Sequence, residues 1–268
     1  LSDDKFMTEK ILEKAGVVQD YINESYNLFA ERLLNVKGGH RFDIKQECIA
    51  KSAFWVTKKR YGQWIINDGG VKCDKLDVKG LDIVRSNFPV AMRKLMTEVL
   101  QDILSNEEKE LIDEKIMSFK KGMKKLSVDD IALPTSVKKL NKFADTRHGN
   151  KKIYGKGGVF TPMHKGTPVH VKAAWVYNDL LKHYGLDNVE KIKNSEKIKW
   201  LYLKQNPLSI TQIAFKGYDD PPEIMDYINQ YVDHDKLFKK ALQKKIDMFY
   251  DSMGWVLVDK QNTLERFF

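Results

Sequence analysis

The chain has 268 residues, 42% hydrophobic and 31% charged, with a formal net charge of +9 and a pI near 9.2. That length holds one large domain or two small ones with a real core, and no apolar run approaches the roughly 20 residues a membrane span needs. The positive balance points to an anionic partner without fixing a fold. Cys48 and Cys73 lack a CxxC partner and a histidine at ligand spacing, which predicts reduced thiols in a cytoplasmic protein rather than a disulfide or a metal site. No signal peptide precedes the first helix, and a start at Leu1 suits a processed or cloned fragment.

Residues 5–34 place Ile11, Ala15, Val18, Ile22, Phe29 and Leu33 on one face at helical spacing. This predicts a long amphipathic packing helix ending before Lys37-Gly38-Gly39. From Arg41 to Tyr61 the pattern changes to two short strands, one over 41–49 with Phe42, Ile44, Cys48 and Ile49, the other an apolar run over 53–56. Lys58, Lys59 and Arg60 follow, then Tyr61, Trp64, Ile65 and Ile66. Read as a continuing strand, Lys58 and Arg60 point one way and Lys59 and Tyr61 the other. A face offering a cation beside a phenol suits a polyanion with flat apolar groups, which is a nucleic acid. Asn67-Asp68-Gly69-Gly70 predicts a tight turn pairing 59–66 with a strand over 71–76.

Pro89 opens a helix over 89–104 with Met92, Leu95, Val99 and Ile103 inward. A second runs from Ser105 to about Gly122, with Asn106-Glu107-Glu108 in its first turn, where acids favour the helix dipole. The Lys120–Lys125 cluster reads as a solvated helix end or linker, with a phosphate contact as the alternative. Residues 134–172 hold Gly149, Gly155, Gly157, Gly158 and Gly166 with Pro162 and Pro168, too many breakers for one regular element. Their cations are Lys138, Lys139, Lys142, Arg147, Lys151, Lys152, Lys156, Lys165 and Lys172 against Asp145, nine minus one, or +8. The segment reads either as a basic linker or as a glycine-rich loop whose amides and cations approach phosphates. A helix over 168–184 follows, then a strand pair over 197–215 around Asn206-Pro207, then helices over 221–230 and 233–251. The fold class is α+β: a small antiparallel β portion with a long helix, then a mainly helical portion with a small β element. At the end, Gln261, Leu264, Phe267 and Phe268 fit Q-x-x-L-x-x-F-F, a sliding-clamp-binding pattern in which one helical turn aligns an apolar plug. Packing of that tail on its own domain is the alternative.

TKKRY, behind an aromatic strand, resembles the KKxY motif of family B DNA polymerases, and VKGLDIVRSNFP at 78–89 resembles the segment that follows it there. The likeness runs over nearly the whole chain and is particular to the T4-type bacteriophage replicative polymerases, whose C-terminal portion it resembles. It implies the end of a palm domain over 1–88, a thumb over 89–255 and a clamp-binding tail over 256–268. Lys59 and Tyr61 match positions that approach the primer terminus, where a lysine meets minor-groove acceptors common to every correct pair. Lys58 and Arg60 go to phosphates or to structural carboxylates, and Lys79 and Arg85 to backbone phosphate. Arg147, Lys151, Lys152 and Lys156 fall in the implied thumb loop. Ser86 stands where family members often carry a second basic residue. Glu47 matches an additional palm carboxylate, or is a strand-surface acid.

The resemblance also implies two Mg²⁺ ions in the complete enzyme, held by palm aspartates. DxxSLYPS, KxxxNSxYG and YxDTDS do not occur here, and Asp3-Asp4 and Asp219-Asp220 read as helix-start or turn acids. The expectation is therefore a duplex-gripping part that binds no metal alone and polymerises only with an N-terminal portion bearing the exonuclease, fingers and catalytic palm. The implied setting is the cytoplasm of a phage-infected bacterium. The alternative is a non-enzymatic duplex-binding accessory protein with a clamp-docking tail.

Overall fold

A single helix, α1 (Ser2–Leu33), fills the first 32-residue element of the chain. The computed structural model describes residues 2–36, 39–144, 151–152, 155–156 and 160–258. Contacts gather the chain into two units, residues 1–54 with 61–79, and residues 55–60 with 80–268.

In the first unit α1 has the predicted extent but not the predicted cover. Ile11, Val18, Phe29 and Leu33 are 42%, 56%, 45% and 73% exposed, and Ala30 is fully buried. The expected strand over 41–47 is absent, for a visible reason. Asn23 Nδ2 donates to Ile44 O (3.0 Å) while its Oδ1 accepts Ile44 N–H (2.9 Å), and Gln19 Oε1 accepts Gln46 N–H (2.7 Å). These side chains of α1 take the backbone groups a neighbouring strand would have taken. Phe42 sits against the rings of Tyr26 (5.8 Å) and Phe29 (6.3 Å).

One strand, β1 (Cys48–Thr57), replaces the two short ones, and it heads a sheet of order β1-β2-β3 with β2 (Arg60–Asp68) and β3 (Val71–Lys79). The β2–β3 turn is as predicted. Asp68 pairs with Val71, and Gly69 and Gly70 both take positive φ (58° and 89°), the requirement of a two-residue hairpin loop. Cys48 and Cys73 are free thiols.

In the second unit, α2 (Val90–Leu104) buries Met92, Leu95, Met96, Val99, Leu100 and Ile103. Helix α3 begins later than expected, at Lys109, and ends at Gly122. Asn106 takes φ 58° before it, so the chain cannot be helical there, and the acid of the first turn is Glu110. A short α4 (Val128–Ile131) is capped by Ser127, whose Oγ accepts Asp130 N–H. It leads into β4 (Leu133–Ser136), α5 (Leu140–Ala144) and a two-residue ribbon of β5 (Lys151–Lys152) with β6 (Met163–His164). Next come α6 (Val169–His183) and the predicted hairpin, β7 (Lys197–Tyr202) with β8 (Gln212–Phe215).

The sheet order is β4-β7-β8, so β4 adds a third strand to that hairpin. Helix α6 buries Val171, Ala173, Ala174, Val176, Tyr177, Leu180 and Leu181, and every residue of β8 is buried. The unit closes with α7 (Pro222–Tyr231), α8 (His234–Leu237), a π-helical stretch over Phe238–Gln243 and α9 (Lys244–Met253). Leu237, Phe238, Leu242, Ile246 and Phe249 are buried along this run.

Candidate nucleic-acid interface

The run Lys58-Lys59-Arg60 is not a continuing strand. Lys58 and Lys59 are the whole loop between β1 and β2, and Lys59 takes φ 62°. A lysine held left-handed costs about 1–2 kcal/mol, and such outliers persist where their surroundings over-determine them. Here the surroundings are Gly80 to Asp82. Gly80 lies so close that a Cβ on it would stand 2.2 Å from the Lys59 carbonyl oxygen. Arg60 donates through Nε to Gly80 O and through a terminal nitrogen to Asp82 Oδ2, both at 3.2 Å.

Asp82 is therefore the centre of this site. Its side chain is 12% exposed, and besides Arg60 it holds Arg85 on Oδ1 (3.3 Å) and Lys245 of α9 on Oδ2 (2.7 Å). Three cations share one carboxylate. Between the alternatives for Arg60, a phosphate or a structural carboxylate, the geometry supplies the carboxylate; Arg85 shares it and remains 53% exposed. Lys58 and Lys59 are exposed, and among the described residues neither makes a hydrogen bond, ion pair or ring contact. The turn thus has one engaged cation and two free ones.

Within the first unit, Tyr61 and Lys79 are direct cross-strand partners on β2 and β3. Lys79 is exposed and ion-paired to Asp77 at 3.2 Å, a bond that raises its pKa. Glu47 precedes β1, its side chain exposed and its carbonyl accepting Gly69 N–H at 2.8 Å. Burial, then the carboxylates of Glu47, Asp68 and Asp77, push the Cys48 thiol up, which keeps it protonated and unreactive.

The glycine-rich basic segment belongs to the second unit. Lys138, Lys139, Lys142, Lys156 and Lys165 are exposed. Lys156 N–H donates to Leu208 O at 2.8 Å, and Gly155 leaves room for the Phe160 ring, which a Cβ there would meet at 2.3 Å. Lys151 and Lys152 form β5 through their backbone. Arg147 lies outside the described residues, as do Gln261, Leu264, Phe267 and Phe268. Sequence reasoning missed Asp82 and Lys245. The spacing of Asp82 and Arg85, three residues apart, was a usable signal; for Lys245 there was none.

No group of three or more His, Cys, Asp or Glu among the described residues is placed to hold a metal ion. Among the same residues no helix is long and apolar enough to cross a membrane.

The family model for DNA polymerase family B matches residues 27–251, which takes in the turn, the Asp82 centre and most of α9. The chain belongs to DNA polymerase family B. It is similar to the DNA-directed DNA polymerase of Enterobacteria phage T4, with 25% identity over 205 residues, 75% of this chain and 21% of that relative. The chain thus spans about a fifth of the length of the curated relative it matches.

Proposed function

We propose that this chain is the C-terminal palm and thumb part of a replicative DNA-directed DNA polymerase. It grips primer–template duplex, docks on a sliding clamp, and extends primers only together with a portion that supplies the fingers and the catalytic aspartates. The observation that carries this reading is the hairpin loop of a family B member that offers two lysines with no partner among the described residues. Two exposed ammonium groups without a partner among the described residues, one of them on a residue held left-handed, suit an anion from outside the chain.

Lys59 and Tyr61 address the primer terminus from its minor groove, and Lys58 addresses a phosphate. Arg60 holds the turn, while Arg85 and Lys79 each bind backbone phosphate. Arg147, Lys151, Lys152 and Lys156 extend that path in the thumb over 89–255. Glu47 is the acid this chain adds to the neighbourhood of the catalytic aspartates. Over 256–268, Gln261 fills a polar pocket of the clamp, and Leu264, Phe267 and Phe268 form an apolar plug.

The test is binding of this chain to a primer–template duplex across a salt series. Backbone binding makes log affinity fall linearly with log salt, with a slope of roughly 0.9 per phosphate neutralised. Lys59→Ala weakens binding and leaves the circular dichroism unchanged. A flat salt dependence, or equal affinity for wild type and variant, overturns the reading. For the tail, Phe267→Ala with Phe268→Ala abolishes binding in a clamp titration, and equal affinity removes that part of the proposal.

A further inference from the structure

Three parts of the chain meet around Asp82: the start of β2 through Arg60, which bonds both Gly80 O and Asp82, the segment over 80–85 that carries Gly80 and Arg85, and α9 through Lys245. A second observation places α9 at the same hairpin end. An open cleft there is lined by Val56 and Thr57 of β1 and by Lys244, Asp247, Met248, Asp251 and Ser252 of α9. The turn is therefore held by Gly80 and Asp82, with α9 bonded to Asp82 and lining a cleft with the end of β1, and all of these residues belong to one unit.

We propose that Asp82 is the positioning residue of the lysine turn. It fixes Arg60, ties the turn to α9 through Lys245, and so determines where Lys58 and Lys59 present their ammonium groups. The chemistry explains the choice of groups. A lysine at φ 62° relaxes toward negative φ unless the next residue is pinned. Arg60 is pinned by two bonds, one to the Gly80 carbonyl and one to Asp82. Guanidinium suits this better than ammonium, since its planar fork serves both acceptors without turning. Lys245 on Oδ2 and Arg85 on Oδ1 hold the carboxylate as well, so Asp82 is not itself free to swing away. Held this way, the acid spends its charge on cations behind the turn and leaves the two lysines in front unneutralised. What those lysines contact rests on the polymerase reading above; how Asp82 holds the turn does not.

Hydrogen exchange of the full chain, read by mass spectrometry on peptides covering 56–62, decides the matter. Asp82→Asn speeds exchange of that peptide by about ten- to a hundredfold, the effect of losing one charge-assisted hydrogen bond. Peptides from α6 and β8 stay at their wild-type rates. Asp82→Glu restores part of the protection, and Lys245→Ala, which leaves Arg60 bonded, gives a smaller change confined to the same peptide and to α9. Exchange at 56–62 within twofold of wild type overturns the proposal. So does an equal acceleration throughout the unit, which makes Asp82 a general stabiliser; in that case Lys245→Ala must also act globally. A second readout is a double-mutant cycle on primer–template binding. Lys59→Ala costs affinity in the wild type and little in the Asp82→Asn background if Asp82 aims the lysine, and the same factor in both if it does not. Failure of the wild type to bind duplex at all counts against the polymerase reading alone, because the exchange result stands without DNA.

Discussion

Gly80→Ala tests the contact on which the turn depends, and a second glycine supplies its control. Gly80 has φ +66°, and an added Cβ would lie 2.2 Å from the Lys59 carbonyl oxygen and 3.2 Å from Arg60 Cγ. Carbon and oxygen settle at about 3.3 Å even in favourable close contacts, so roughly 1 Å of movement is required of one backbone or the other. Gly185 has nearly the same backbone, φ +69°, with nothing within 4 Å of the added Cβ. Both substitutions incur the left-handed cost of about 1–2 kcal/mol. Only Gly80→Ala adds overpacking, typically about 1–3 kcal/mol. The expected losses are therefore about 2–5 kcal/mol for Gly80→Ala and about 1–2 kcal/mol for Gly185→Ala. Urea unfolding of the full chain, followed by far-UV circular dichroism, measures both as shifts of midpoint at constant slope. Losses agreeing within about 0.5 kcal/mol would mean that the turn does not bear on Gly80, and the reasoning fails.

Asn206→Ala removes a buried amide that donates to Lys204 O and Ile210 O and accepts from Ile210 N–H and Tyr227 OH. A loss of about 3 kcal/mol in the same assay is expected, and one below about 1 kcal/mol would show that these partners find other bonds. Tyr250→Phe deletes the 2.7 Å bond from a buried phenol to Asp113, a carboxylate that keeps Lys109 at 2.5 Å. It costs about 2 kcal/mol, while an unchanged midpoint would refute the bond. Asp179 is 1% exposed, and burial raises its pKa against the opposing bonds from Thr161. The folded state thus holds this proton more tightly than the unfolded chain, so stability falls as pH rises from the ordinary carboxylate range through the folded pKa. Asp179→Asn, which still bonds Thr161, removes that part of the slope; difference curves of stability against pH that stay flat from pH 4 to 7 would refute it.

Helical periodicity and turn chemistry were readable where they were local. Met92, Leu95, Val99 and Ile103 follow the 3.6 period and are buried, and Gly69-Gly70 makes the tight loop its glycines require. Residues 41–47 misled because alternation reports a half-buried extended chain without saying what supplies its hydrogen bonds. A strand partner and the side chains of Asn23 and Gln19 leave the same pattern in sequence. The stripe on α1 carries a similar lesson, for periodicity identifies an amphipathic helix and not the amount of cover it receives. Strand β4 was missed because Leu133-Pro134-Thr135-Ser136 is short and contains a proline, which belongs on an edge.

The site shows most clearly what one-dimensional reading leaves out. Alternation treated the lysine run as strand and assigned Lys58 and Arg60 to a common face. A two-residue loop with Lys59 left-handed instead separates the residues by task, two lysines outward and one arginine onto Asp82. The acid that does this was visible inside KGLDIVR beside Arg85 but carried no signal of its partner on α9, since Lys245 lies 163 residues beyond it. Short basic motifs are ambiguous for this reason: the number of free cations depends on acids supplied from elsewhere. Here the acid lies close along the chain while its third cation comes from the last described helix. A fragment ending before α9 would therefore keep the whole motif and lose one of the bonds on Asp82. Positioned by Asp82 as proposed, the two lysines are thus tied to α9 as well, through the bond from Lys245.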